Sequence, residues 1–283
     1  MRRIAYFQGR WYPDAPAECR RHIDAYARQA PSPPALGPLR GVVAPHAGWP
    51  LSGHVAARAF RVLAEQLAAA DLVVLFGAHR SPRGPNTLFR GDAWETPLGD
   101  FATPTELTEQ IGAALPLQTE PATPWQPDNA PEVLLPFAKH YFADAELLML
   151  GVAASEEAKH IGAKVGQICR ANDRRPVFVA STDLTHYGPA YRFAPQGEGP
   201  HAVRWVRETN DRGFIAEILD QDASGVLAHA LTHRSACCPG AVAAAMCAAE
   251  SFQGTLHPWE VAHSLSYDVH PADSFVGYSG VVF

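Results

Sequence analysis

Apolar positions along the chain follow two rhythms. Short unbroken apolar runs occur at Arg40–Ala44, Asp71–Phe76, Glu146–Val152 and Pro176–Ser181. Runs of this length, rich in Val and Leu and bounded by turn residues, predict strands buried on both faces. Between them the spacing changes to three and four. In Ser52–Ala70, Val55, Ala59, Phe60, Leu63 and Leu67 mark one face of a helix. Helices are also predicted over Asp14–Gln29 (Asp14 as N-cap), Pro104–Leu115, Ala130–Tyr141, Ser155–Asn172 (capped by Ser155), Arg207–Asp220, Ala223–Thr232 and Pro239–Phe252. Two final strands, Glu260–Val269 and Phe275–Phe283, read as an antiparallel hairpin at a sheet edge. Strands alternating with helices predict an α/β fold: a mostly parallel central sheet with helices on both faces.

Proline-rich loops punctuate this pattern at Pro31–Pro38, Thr119–Asp128 and Gly188–Gly199. The segment before the first is too short to fold alone, so residues 1–283 are read as a single domain. Loops as long as the second often carry function. With 23 basic and 29 acidic residues the formal charge is −6, and there is no Lys/Arg run. A phosphate-backbone binder is therefore not expected, which excludes nucleic acid as a partner. No apolar stretch approaches the roughly 18 residues of a membrane span, and the N-terminus lacks a signal-peptide core. The five cysteines, irregularly spaced and without a CxxC pair, do not form a secreted disulfide framework. A cytoplasmic location is expected.

The chemistry-bearing residues stand just past the strands. Val42-Val43-Ala44-Pro45 is followed by His46, Leu75-Phe76-Gly77-Ala78 by His79, and Val179-Ala180-Ser181-Thr182 by Asp183 and His186. Ligands of open α/β sheets bind beyond the carboxyl ends of the strands, so these four side chains are expected to converge on one pocket. Asp183 and His186, three apart, would share a face on a helical turn, with Asp183 fixing the His186 tautomer, facing substrate, or serving as an N-cap. Cys237 and Cys238 precede Pro239 at the start of an Ala-rich helix, where a thiolate is favoured and is either a metal ligand or a nucleophile. Glu132 follows the second long loop and is either a first-turn charge or a pocket residue.

Taken in order, Gly9-Arg-Trp-Tyr-Pro-Asp14, Ala44-Pro-His46-Ala-Gly48, Glu132 with Leu135-Pro136, Ser181-Thr-Asp183-Leu-Thr-His186-Tyr-Gly188, Ala236-Cys237 and Val276-Gly-Tyr-Ser-Gly280 resemble the Memo (mediator of cell motility) family. That family is also called AmmeMemoRadiSam system protein B and is similar in fold to the class III extradiol dioxygenases. The resemblance implies a metal pocket of His46, His79 and Cys237, with His186 and Asp183 as catalytic residues. It also implies that Trp49, Asn129 and Glu132 contact the ligand. Fe(II) is the implied cofactor, with copper or zinc as alternatives, and the implied partner is a small molecule or a peptide.

The sequence departs from the family pattern at four places. The segment Gly77-Ala78-His79 is one residue short, Asn129 replaces a His, Cys238 replaces a Gly, and Trp49 replaces a Tyr. Three functions fit these residues: non-haem redox chemistry, dioxygenase-like, on a small molecule; hydrolysis with Cys237 as nucleophile; and metal or peptide binding by a vestigial pocket.

Overall fold

The computed structural model describes residues 1–31, 37–67 and 69–283. Most of the Pro31–Pro38 connector lies outside the described residues. The chain begins with β1 (Arg2–Arg3), α1 (Pro16–Ala27), β2 (Gly41–Ala44), α2 (Trp49–Gln66) and β3 (Leu72–Gly77). It continues through β4 (Thr87–Phe89), β5 (Ala93–Trp94), β6 (Phe101–Ala102), α3 (Thr105–Ala114), β7 (Gln118–Glu120), α4 (Asn129–Glu132), α5 (Leu135–Tyr141) and β8 (Glu146–Gly151). Next come α6 (Glu157–Ala171), β9 (Pro176–Ser181), β10 (His186–Tyr187), α7 (Pro200–Trp205), α8 (Asp211–Leu219) and α9 (Ala223–His233). The last elements are α10 (Pro239–Gln253), β11 (Trp259–Leu265) and β12 (Phe275–Val282).

The main sheet runs β10-β12-β2-β9-β3-β8-β4-β7, with β11 paired to β12. Its centre, β2-β9-β3-β8, is parallel, while β12 joins β2 and β4 joins β8 in antiparallel fashion. β11 and β12 form the expected antiparallel edge pair. Because side chains alternate across a strand, each central strand divides its apolar residues between two cores. Val43, Val74, Phe76, Leu148, Leu150 and Phe178 pack with α6, α8, α9 and α10 on one face. Val42, Val73, Leu75, Leu147, Met149, Val177 and Val179 pack with α1, α2 and α5 on the other. The architecture is thus the mixed α/β sandwich expected from the sequence. Two helices on the first face lie very close: a Cβ on Gly162 or Gly166 of α6 would fall 2.0 or 2.2 Å from the carbonyl of Ala244 or Ala248 of α10.

Several boundaries differ from expectation. Helix α1 starts at Pro16 behind Ala15, and Asp14 makes no cap. Ser155 lies two residues before α6, whose N-cap position is Glu156 with no side-chain cap. Both helices are held by packing instead; Cys19, Ile23 and Ala27 are buried on α1. The expected Ala130–Tyr141 helix is two short ones, interrupted where Pro136 supplies no N–H. The helix expected from Arg207 begins at Pro200 and passes through a π-helical turn, Val206–Asn210. Residues 183–185 form a loop, not a helical turn, so Asp183 and His186 do not share a helix face. The small sheet β1-β5-β6 was not anticipated, because two-residue strands carry no periodic signal. Among the described residues no helix is long and apolar enough to cross a membrane.

Candidate metal centre

Strands β2, β9 and β3 are neighbours in that order, and their carboxyl ends deliver His46, Asp183 and His79 to one edge. Helix α10 starts opposite them. Its N-cap position is Cys238, with Cys237 immediately before it. The turn is pinned to the β9 loop: Cys237 N–H donates to Asp183 O at 3.1 Å, and Cys238 N–H to Thr182 Oγ1 at 3.1 Å. One donor atom from each of His46, His79, Cys237 and Cys238 then lies within 4.8 Å of all the others. His79 reaches the cluster through Ala78, a non-glycine residue at φ +74°, a conformation that costs energy and marks a held position.

Each imidazole is held through Nδ1. The Ser181 hydroxyl donates its proton to Ala130 O, so at 2.9 Å from His46 Nδ1 it accepts. Asp128 Oδ1 accepts from His79 Nδ1 at 2.8 Å, and Asp128 Oδ2 from His79 N–H at 2.8 Å. With Nδ1 of each ring engaged, Nε2 is the atom each imidazole offers to the cysteine pair or to an ion, the arrangement that metal-ligating histidines use. Cys237 Sγ lies 3.3 Å from His46 Nε2 and accepts from Asp183 N–H at 3.3 Å. Burial pushes the Cys237 thiol up, but the Cys238 S–H and the two imidazoles outweigh it and hold Cys237 well below its ordinary value. Cys238 is raised, first by donating to that sulfur and then by burial. Burial opposes a charge on His79, but Asp128 and Cys237 raise it to about 10. His46 is raised too, Asp183 and Cys237 outweighing burial.

Two imidazoles that present Nε2 and a stabilised thiolate are the donor chemistry of a transition-metal site, so the residues present fit such an ion. A cleft of about 730 Å³ opens above them, within the range of small-molecule sites. His46, His79, Asp183, His186 and Asn129 line it. Asn129 Nδ2 also donates to His46 O at 3.2 Å. His186 Nδ1 bonds Leu184 O at 3.1 Å, which leaves Nε2 free, and its ring meets Tyr191 edge-on at 4.8 Å. Asp183 does not orient His186. Its Oδ1 accepts the backbone N–H of His46 at 2.7 Å and of Ala47 at 3.3 Å, so it fixes the first ligand loop.

Trp49 and Glu132, expected to contact ligand, are absent from the described lining and lie behind it. Trp49 packs on Phe137 and donates Nε1–H to Val133 O at 3.2 Å. Its place on the wall is taken by Trp11, whose carbonyl accepts from Trp49 N–H. Glu132 Oε1 accepts from Phe7 N–H at 2.6 Å and Tyr12 O–H at 2.9 Å, and so fastens the N-terminal segment carrying Arg10 and Trp11. Asp128 was missed as the His79 partner. Its signal, an Asx N-cap beginning a helix at the end of a long loop, was present in the sequence.

Sheet and site together define an α/β protein with a His/Cys donor cluster at the carboxyl edge of its parallel strands. The chain belongs to the Memo family: the family profile described as Memo-like protein matches residues 3–282. It is similar to MEMO1 family proteins of Thermococcus onnurineus (29% identity, 85% of each chain) and Methanothermobacter thermautotrophicus (31%, covering 77% of this chain and 76% of that one). A MEMO1 family protein of Methanopyrus kandleri matches at 28% over 100% of this chain and 99% of its own. The crystal structure of an uncharacterized protein from Escherichia coli K12 shares the fold, with a TM-score of 0.53 at 13% identity over 87% of this chain and 99% of that one.

Proposed function

We propose that this Memo-family chain binds a transition-metal ion through His46, His79 and Cys237 and acts on a small organic molecule held in the cleft above. The observation that carries this reading is the convergence of these donors, with His46 and His79 on the lining of that cleft and each imidazole fixed through Nδ1. A bound ion of iron, copper or zinc supplies Lewis acidity there and, for iron or copper, electron transfer. His186, with Nε2 free and its ring on the cleft wall, accepts or returns a proton on the bound molecule. Asp183 holds the His46 loop, and Trp11 and Tyr191 shield the bound molecule from water. Five unpaired thiols suit a reducing, cytoplasmic compartment.

Elemental analysis of protein purified without oxygen tests the reading. One metal ion per chain is expected, and Cys237→Ala and His46→Ala should each lose it while retaining the far-UV spectrum. Stoichiometric metal in folded Cys237→Ala would overturn it.

A further inference from the structure

The sequence places a second cysteine where the family pattern has Gly, and the structure puts its sulfur in the donor cluster. We propose that Cys238 is a fourth protein ligand, so that His46, His79, Cys237 and Cys238 form a closed four-coordinate site suited to zinc and disfavouring Fe(II). The proposal rests on the metal-binding part of the reading above and replaces its Lewis-acid chemistry, because four protein donors leave the ion no position open to the bound molecule.

Three observations carry it. First, the Cys238 donor atom is within 4.8 Å of the other three. A tetrahedral zinc with Zn–S near 2.3 Å and Zn–N near 2.0–2.1 Å requires donor atoms roughly 3.3–3.8 Å apart. Cys237 Sγ and His46 Nε2 already stand at 3.3 Å, so closure asks for at most about 1.5 Å at the widest pair. Second, the backbone around the cysteine pair is fixed: both N–H groups are bonded to the β9 loop, so the sulfurs are presented from a rigid turn. Third, Cys238 is buried beside the turn that carries His79. It is 3% exposed, packs with the α10 core, and lies 3.6 Å from the carbonyl of Ala78, the residue before His79. Neither Cys237 nor Cys238 is in the described lining of the cleft, whereas His46 and His79 form part of it.

Two histidines and one cysteine leave positions open for exogenous ligands. Adding a second thiolate completes a tetrahedral N₂S₂ set, which favours zinc over ions that prefer more oxygen and nitrogen donors or higher coordination numbers. A small buried thiol that merely filled the space of the missing Gly would not need to share the donor cluster.

Cobalt is the probe. Metal-free full-length protein is titrated with Co(II) under argon. Sulfur-to-cobalt charge transfer in the near ultraviolet grows with each Co–S bond, and intense visible bands mark tetrahedral geometry. The wild-type chain should show two Co–S bonds and tetrahedral bands. Cys238→Ser should show half the charge-transfer intensity and weaker visible bands. Its zinc affinity, read by chelator competition, should fall by at least about the 10–100-fold that loss of a supporting partner costs, and its preference for zinc over Fe(II) should narrow. Cys238→Ala is carried in parallel, with circular dichroism and melting of the metal-free proteins as fold controls. Full charge-transfer intensity and unchanged zinc affinity in both Cys238 variants, with Cys237→Ser losing all of the intensity, would overturn the fourth ligand and leave the three-donor centre standing. No cobalt uptake by the wild-type chain would overturn both.

Discussion

Glu132 offers the sharpest separation between an anchoring and a ligand-binding role. Its side chain is fully buried, and Oε1 alone receives both the Phe7 N–H and the Tyr12 hydroxyl, while Oε2 has no hydrogen-bond partner. In Glu132→Ala both donors lose their acceptor. Each orphaned buried donor costs about 1–3 kcal/mol, so with the space vacated by the side chain the loss should be about 3–5 kcal/mol. For a chain of this size that lowers the melting temperature on the order of 10 °C. Glu132→Gln keeps an acceptor oxygen and removes a buried charge, so it should remain within about 1 kcal/mol of wild type. Urea unfolding of the three proteins measures both numbers, and limited proteolysis near Phe7–Tyr12 reports whether the segment is released.

The pH dependence provides an independent sign. Burial, opposed by the Phe7 and Tyr12 donors, holds the Glu132 carboxyl above its ordinary range. The folded chain then keeps this proton to higher pH than the unfolded chain. Stability contributed here falls as pH rises from about 4.3, the ordinary value, through the raised folded value, and is level above it. Glu132→Gln should lack that step. If Glu132→Ala unfolds within 1 kcal/mol of wild type, the anchoring argument fails; if Gln is as damaging as Ala, the charge and not the acceptor holds the segment.

Asp128→Ala should weaken zinc or cobalt binding about 10–100-fold, because His79 loses the carboxylate at Nδ1; calorimetric titration giving wild-type affinity would refute this. His186→Ala should leave metal affinity unchanged while weakening binding of small molecules in the cleft, measured by thermal shift against a ligand panel; loss of metal would place His186 among the ligands. Asp71 bonds Arg174 Nε at 3.1 Å and Arg175 N–H at 3.0 Å. Despite burial, these bonds hold its carboxyl below the ordinary range. Its stabilisation is therefore present above about pH 3.9 and is lost as pH falls through the lowered folded value. Acid titration of Asp71→Asn should lack that loss. Gly166→Ala should destabilise by at least about 1–3 kcal/mol by forcing α6 from the Ala248 carbonyl, and a neutral result in urea would show that the two helices can separate without cost.

The four central strands were legible to within a residue or two because each is an apolar run with turn residues at both ends. Their parallel pairing follows from the helices between them, and that pairing is why residues just past three strands meet at one edge. Helix starts were less legible. Asp14 and Ser155 have the right chemistry for caps, yet tertiary packing sets where α1 and α6 begin. At the site, strand position located His46 and His79 but could not say which neighbours reach them. The partnership of Asp128 with His79 spans 49 positions, and that of Asp183 with the His46 backbone spans 137. Trp49 opens the long α2 and Glu132 ends the short α4, and both meet the N-terminal segment, a contact between remote segments that no local pattern encodes.

β12 follows every other strand in the sequence, yet it lies beside β2, one of the earliest, with Val281 opposite Val43 and the Phe283 carbonyl accepting from the Arg40 and Gly41 N–H groups. Its Gly277 exchanges backbone hydrogen bonds with Leu184 and Thr185, and its Val276 and Tyr278 form part of the cleft wall. During synthesis β2 must therefore keep one edge unpaired until Phe275–Val282 is made, and the loop bearing Asp183 and His186 has no fixed backing until β12 emerges from the ribosome. Contacts of such long sequence separation make the final closure slow and leave the nascent edge open to wrong pairing. Competence of the cleft thus waits on β12: a polypeptide stalled before Phe275 carries all the donor residues and still lacks the strand that gives the cleft its wall.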